Sequence, residues 1–153
     1  MECLDLVRGP TKVPADDVHR WVDHTAELEL ELEAASERAV FEEALAALGG
    51  LLAERAGGEQ EAEAEAARHR VSASAPDRAT LLAEWLSELV YLAEIEGFVP
   101  TRAEHLELTG NALEATVVGR RASPPHLVKA VTYHRLAIWE EDETWRARVI
   151  LDV

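Results

Sequence analysis

Residues 27–33 read Glu-Leu-Glu-Leu-Glu-Leu-Glu, and this strict alternation is the clearest structural signal in the chain. Because successive side chains of a strand point to opposite faces, the segment predicts a strand with one leucine face and one glutamate face. The positions expected to face the core are Leu28, Leu30 and Leu32. The four glutamates then share the opposite face.

Two amphipathic helices are predicted after this strand. Ser36 is a suitable N-cap for the first, Gly49-Gly50 weakens its far end, and Gly57-Gly58 ends it. Its apolar positions are Val40, Phe41, Ala44, Leu45 and Leu48, with Leu51 and Leu52 as an extension. Asp77 caps the second helix and Gly97 closes it. Its buried side is predicted to contain Leu81, Leu82, Trp85, Leu86, Leu89, Val90 and Ala93.

The remaining periodic segments indicate strands that pair antiparallel, because the turns between the last four are short. The predicted strands are residues 69–75, 101–108, 112–119, 127–139 and 145–151. The sequence therefore predicts an α+β fold with an antiparallel or mixed β-sheet and two helices packed on one side, in the order strand-helix-strand-helix followed by antiparallel strands. Residues 1–20 contain Pro10 and Pro14 without periodicity and are predicted to be a tail, so that residues 21–153 form a single domain.

The charge balance is strongly acidic, with 30 acidic and 15 basic residues and a net charge of -15. Binding to nucleic acid requires Lys and Arg to neutralise phosphates, so direct binding over a broad surface is not expected. A role in RNA chemistry would pass through a protein partner; the alternative is that the acidity serves only solubility. No apolar run approaches the roughly 20 residues of a membrane span. Together with the single Cys3 and an N-terminus without signal character, this predicts a cytoplasmic protein.

Three segments could carry chemistry, and each also has a structural interpretation. The cluster at residues 23–27, Asp-His-Thr-Ala-Glu, is the first, although such residues commonly form turns. The second is residues 129–134, Lys-Ala-Val-Thr-Tyr-His. Alternation places Lys129, Val131 and Tyr133 on one face and Ala130, Thr132 and His134 on the other, unless a bulge intervenes.

The third segment is the end of the chain, where Asp152 lies beside the main-chain carboxylate of Val153. Two neighbouring anions invite a hard divalent cation, whereas the alternative is a frayed, solvated end. No phosphate-binding glycine loop, HExxH helix, Cys-His cluster or nucleophile elbow occurs, and His24, His126 and His134 follow no ligand spacing. An enzyme with a familiar cofactor is therefore disfavoured.

Four segments together resemble the archease family in their order and spacing, from about Trp21 to the last residue. They are residues 23–27, the helix at residues 85–97, residues 128–134 and the ending at residues 145–153. The resemblance implies a small, non-catalytic accessory protein that activates an RtcB-type RNA ligase. That ligase joins RNA ends in tRNA splicing and RNA repair with GTP and a divalent metal, through a guanylylated histidine of its own. Archeases promote this guanylylation and multiple turnover.

The resemblance also implies a metal site formed by Glu27, Asp152 and Val153. Archeases generally have Asp at the position of Glu27, and the extra methylene moves the carboxylate by about 1.5 Å. The loop must then shift, or Asp23 must assist. Calcium tolerates such a change best because its ligand shell is large and flexible, and magnesium and manganese are the alternatives. The candidates for contact with the ligase or its nucleotide are Asp23, His24, Lys129 and His134.

Two other functions remain open from the sequence. One is a chaperone-like modulator of an RNA-modifying enzyme such as a tRNA methyltransferase, which an acidic binding surface would suit. The other is a stand-alone metal-dependent hydrolase that acts through Glu27, Asp152 and His134, although no nucleophile or buried acid-base pair is recognisable.

Overall fold

The computed structural model describes residues 17–24, 26–55, 66–122 and 128–153, without the side chains of His24 and Arg55. The predictions for Cys3, Thr25, Gly57-Gly58 and His126 lie outside these residues. Nine elements follow one another along the described chain: β1 (Val18–His24), β2 (Glu27–Ala34), α1 (Glu37–Arg55), β3 (Ala66–Ser74), α2 (Arg78–Glu96), β4 (Phe98–Thr109), β5 (Ala112–Arg121), β6 (Ala130–Glu141) and β7 (Thr144–Asp152).

The described strands form two antiparallel sheets, so the predicted α+β class and antiparallel pairing are confirmed. One sheet has four strands in the order β1-β2-β7-β6, and the other has three in the order β3-β5-β4. Both helices contact both sheets. The prediction has both helices packed on one side of a single sheet. In the structure the strands form two sheets, and the same two helices pack against both. None of the described helices has the length and apolar character needed to cross a bilayer.

The helix ends follow the predicted capping chemistry. The Ala39 amide donates to Ser36 Oγ at 3.1 Å, and the Thr80 amide donates to Asp77 Oδ1 at 2.8 Å. Each side chain thereby satisfies an amide that has no partner within its helix. Gly97 adopts a left-handed conformation, with φ of 65°, directly after α2. Such a conformation is what the glycine after a helix commonly supplies.

The core lies between the sheets and the helices and contains the predicted apolar faces. Leu30 and Leu32 of β2 are buried, as are the predicted positions of α1. Trp85 of α2 is fully buried, and its Nε1 donates to the Phe41 carbonyl at 2.8 Å. This bond joins the two helices and satisfies a polar group that would otherwise be costly to bury.

Several strand boundaries differ from prediction by a few residues. Val18–His24 is a strand paired with β2, although the sequence predicts that residues 18–20 belong to the tail. Its sequence lacks apolar alternation because His19 and Arg20 bond instead to glutamates of α1 and β2. Helix α1, in contrast, follows the prediction: it continues through Gly49-Gly50 into the extension with Leu51 and Leu52, since the apolar face on either side of the glycines is buried. Strand β4 starts at Phe98, three residues earlier than the predicted start, because Phe98 and Val99 are core residues. The division into a tail and a domain stays a prediction.

Candidate metal and partner-binding corner

The candidate site lies where β2 begins and β7 ends. Glu27 is the register partner of Asp152, so the antiparallel ladder places both side chains on the same face of the sheet. The Val153 amide donates to the Ala26 carbonyl at 3.1 Å, the bond that flanks a non-hydrogen-bonded pair. In such pairs the opposed side chains approach most closely. Two carboxylates from distant parts of the sequence therefore face each other.

The other three glutamates of β2 have arginine partners. Glu31 pairs with Arg20, and Glu33 pairs with Arg146. Glu29 is only 5% exposed, and its Oε1 lies 3.5 Å from Arg135 Nη1. These contacts neutralise the negative charge of the three glutamates on their face of the sheet. Glu27, in contrast, has another acid as its register partner. Like charges directly opposite each other destabilise a sheet, and a bound cation would reverse that effect.

The main chain at the start of β6 and at the residue before it closes the other side of the corner. The Lys129 amide donates to the Asp152 carbonyl at 2.7 Å, and Ala130 is the register partner of Asp152. The Lys129 side chain is exposed. The chain thus brings Lys129 next to the corner through its backbone and leaves its ammonium group at the surface.

The two candidates at the end of β1 have different register partners. His24 is the register partner of Glu27, so its backbone belongs to the corner. Asp23 pairs with Leu28, which partners Leu151 in the neighbouring ladder. Alternation therefore puts Asp23 on the face opposite Glu27, so the register does not favour the predicted help of Asp23 in binding a cation at Glu27 and Asp152. Asp23 remains available as an exposed contact residue.

A bulge in β6 changes the predicted environment of His134. Thr132 partners Ile150 and Ala137 partners Arg148, so residues 133–136 lie opposite Val149 alone. The simple alternation proposed for this segment therefore ends at Thr132. His134 is exposed, and its amide donates to Thr132 Oγ1 at 3.2 Å. The bulge separates His134 in register from the row that contains Glu27 and Asp152.

The bulge also supplies contacts that sequence reasoning missed. Arg135 has a φ of 58°, its guanidinium reaches Glu29, and its carbonyl accepts a bond of 2.9 Å from Arg148 Nε. Tyr133 donates its hydroxyl to Glu84 of α2 at 2.8 Å, and this bond to a carboxylate raises the pKa of Tyr133 above its usual range. No local pattern signals these contacts, because the extra residues become apparent only when β6 pairs with β7.

The donor set at the corner suits a hard cation. Carboxylate and main-chain oxygens are the ligands that calcium prefers, and Glu27, Asp152 and Val153 offer both kinds. Within the described ranges, no three side chains of His, Cys, Asp or Glu group together as a metal site. A cation here would therefore be bound by the two carboxylates and by main-chain oxygens. The main-chain oxygens of Val153 are the ones next to Asp152 in the sequence.

Taken together, fold and corner define a class of small α+β proteins with two helices shared by two antiparallel sheets and an acidic pair at one sheet end. The model of the Archease protein family matches residues 19–153 of the sequence. The chain belongs to the archease family.

Relatives with this name are similar over most of their length. Protein archease of Methanosarcina barkeri is 28% identical over 144 residues, covering 88% of this chain and 95% of the relative. Protein archease of Methanothermobacter thermautotrophicus is 33% identical over 96 residues, covering 58% of this chain and 68% of the relative.

Two solved structures share the fold. The solution structure of protein 1598 from Methanobacterium thermoautotrophicum has a TM-score of 0.63 at 26% identity, covering 88% of this chain and 98% of that one. The crystal structure of a Thermotoga maritima protein, described as an archease and possible chaperone, has a TM-score of 0.58 at 18% identity and covers 91% of this chain and 100% of that one.

Proposed function

We propose that this chain is an accessory protein that activates an RtcB-type RNA ligase in tRNA splicing or RNA repair. It promotes guanylylation of the ligase and its multiple turnover, and it does not itself catalyse the joining of RNA. The observation that carries the proposal is the pairing of Glu27 with Asp152 beside Val153. It supports the site that the family resemblance implies, at the positions of this sequence.

In this proposal Glu27, Asp152 and Val153 hold a divalent cation, which places positive charge at a corner of an otherwise acidic protein. Calcium suits the longer Glu27 side chain best, and magnesium or manganese are the alternatives. The surrounding backbone bonds position the donors, since the amides of Val153 and Lys129 tie β7 to the strands on both sides. Lys129 and His134, both exposed, are the candidates for contact with the ligase or its nucleotide, together with Asp23 and His24.

The proposal is tested by guanylylation of the ligase from the same organism, with and without this chain. Wild-type protein should accelerate formation of the guanylylated ligase and permit more than one turnover. Glu27→Gln and Asp152→Asn should lose most of this effect, because each removes one anionic donor while keeping its size. Glu27→Asp restores the residue usual in archeases and should retain activation.

A matched control is Glu107→Gln, which removes an exposed acid on β4, in the other sheet. It should activate like wild type. Calorimetric titration with calcium, magnesium and manganese should give binding for wild type, Glu27→Asp and Glu107→Gln, and none for Asp152→Asn. Unchanged activation by Glu27→Gln and Asp152→Asn would contradict the assigned site, and absence of activation by wild type would contradict the function.

A second candidate is a chaperone-like modulator of an RNA-modifying enzyme such as a tRNA methyltransferase. The description of the Thermotoga protein as a possible chaperone favours it. The two candidates differ in partner, so solubility and activity of a purified methyltransferase with this chain provide the comparison. The hydrolase alternative is tested with phosphoester substrates and the chain alone, where the proposal predicts no turnover.

A further inference from the structure

Helix α2 has a solvent-facing stripe, which we define as Glu84, Glu88, Tyr91 and Ile95; Glu84 is half-buried and the other three are exposed. These residues follow spacings of four, three and four, so they lie along one face of the helix. Tyr91 is 56% exposed and Ile95 is 62% exposed. At 1.5 Å per residue the stripe extends over roughly 16 Å. Single exposed apolar residues are ordinary, whereas two on one stripe with acids mark a surface that can bind a partner.

The β6 bulge extends this stripe beyond the helix. Tyr133 is 60% exposed, and its hydroxyl donates a hydrogen bond to Glu84 Oε2 at 2.8 Å. The bulge therefore adds a third large apolar side chain next to the first residue of the stripe. Of the five large apolar side chains that are exposed in the described chain, three lie on α2 or bond to it; the other two are Val18 and Trp139. Tyrosine presents a broad apolar face with a polar tip, which is why it is common in protein interfaces.

The charge of the stripe selects the kind of partner. Glu84 and Glu88 lie on it, and Glu94 and Glu96 lie in the last turn of α2, which contains no basic residue. Acids near the C-terminal end of a helix oppose its dipole, so the helix dipole does not account for the acids in the last turn. A second copy of the chain would place carboxylates against carboxylates. A partner with basic residues around an apolar patch complements the stripe instead.

We infer that the α2 stripe, extended by Tyr133, is the surface through which this protein docks on a basic, partly apolar surface of its ligase. The inference rests on the proposed function, from which the identity of the partner comes. Docking by the stripe and cation binding by the Glu27–Asp152 corner are then separable tasks. The stripe determines how tightly the two proteins associate, and the corner determines what the complex does once it has formed.

The test measures affinity and maximal activation separately. The double variant Tyr91→Ser, Ile95→Ser and the single variant Glu88→Lys are titrated against the purified ligase by biolayer interferometry and in the guanylylation assay. We expect the double variant to weaken Kd by roughly tenfold or more, as for residues at the centre of an interface. Glu88→Lys should mainly slow association, and wild-type association should slow as sodium chloride is raised.

At saturating concentration the stripe variants should still reach wild-type activation, whereas Asp152→Asn should bind the ligase and fail to activate it. Matched controls are Val18→Ser and Glu107→Lys, an exposed apolar and an exposed acidic residue on other elements. Both should bind like wild type. Circular dichroism and thermal melting confirm that every variant is folded.

The possible failures are distinguishable. If wild type activates the ligase while the double variant and Glu88→Lys keep a Kd within twofold of it, the docking surface is wrong and the proposed function stands. Equal weakening by Val18→Ser and Glu107→Lys also overturns the assignment to α2. If wild type neither binds nor activates the ligase, the proposed function fails, and the ligase-docking inference fails with it.

Discussion

Individual residues of β2 differ in what lies opposite them, although the sequence repeats the same dipeptide. Glu29, Glu31 and Glu33 lie near arginines, and Glu27 lies opposite Asp152. The alternation predicted a shared glutamate face, which the register confirms. It could not predict which glutamate would face an acid, because the partners come from β1, β6 and β7.

Because Glu27 and Asp152 oppose each other, Asp152→Asn is expected to change the free energy of unfolding in opposite directions without and with calcium. Without metal, Asp152→Asn should raise the free energy of unfolding by a few tenths of a kcal/mol, since it removes a like-charge pair on a partly exposed ladder. In excess calcium the order should reverse, because wild type gains binding energy that the variant lacks. Thermal melts in chelator and in calcium measure both effects. A calcium-induced shift of equal size in both proteins would contradict cation binding by Asp152.

The Asp77 cap predicts a dependence of stability on pH. Its bond from the Thr80 amide lowers the pKa of the carboxyl below its ordinary 3.8. A lowered pKa in the folded state means that the ionised cap contributes its full stability above pH 3.8, and that this contribution is lost as pH falls through the lower folded value. Asp77→Asn keeps an acceptor that does not titrate. Its unfolding free energy should therefore decline less steeply than that of wild type below pH 3.8, as measured by urea unfolding.

Among the elements, α1 shows how a glycine pair can lie inside a helix. Gly49-Gly50 weakens the far end of α1 in the sequence, and the helix nevertheless continues to Arg55, as the predicted extension by Leu51 and Leu52 implies, because both leucines are buried. The two glycines are not equivalent. A Cβ on Gly49 would lie 2.1 Å from the Pro100 carbonyl oxygen, whereas a Cβ on Gly50 would meet nothing within 4 Å. Gly49 thus permits close packing of α1 on β4.

This difference predicts opposite effects of one substitution at adjacent positions. Gly49→Ala should lower the free energy of unfolding by about 1–3 kcal/mol, because the backbone of β4 must move. Gly50→Ala should raise it by about 0.5–1 kcal/mol, since alanine loses less conformational freedom in a helix. Urea unfolding followed by circular dichroism measures both. Equal effects at the two positions would show that the contact with Pro100 is not what requires glycine.

In β6 a bulge changes which neighbours the side chains contact. The sequence placed Tyr133 and His134 on opposite faces of a regular strand, with a bulge as the stated exception. The observed bulge turns Tyr133 toward Glu84 and brings Arg135 to Glu29. The exposure of Tyr91 and Ile95 of α2 follows from the sequence alone, because both lie outside the predicted buried side of the helix. That Tyr133 lies beside the same helix depends on the bulge, and the sequence alone does not predict it.

For the whole molecule, Trp85 is the residue that joins the two helices on which both sheets pack. It is fully buried in α2 and donates to the Phe41 carbonyl of α1. Trp85→Phe should lower the free energy of unfolding by about 2 kcal/mol, from the lost hydrogen bond and the smaller side chain. The control Trp139→Phe alters an exposed tryptophan, whose ring centroid lies 5.7 Å from Arg148 Cζ, and should cost less than about 1 kcal/mol. Similar losses in urea unfolding would contradict the central role of Trp85.

The sequence by itself determined the local conformations, the apolar faces, the helix caps and the α+β class, because each depends on residues close together along the chain. It also carried the archease motifs and, through them, the expectation that Glu27, Asp152 and Val153 meet. The tertiary structure decided the extra strand β1, the division into two sheets, the bulge in β6 and the register that opposes Glu27 with Asp152. These features depend on which distant strands pair and how the core packs, and a local pattern satisfies several such pairings equally well.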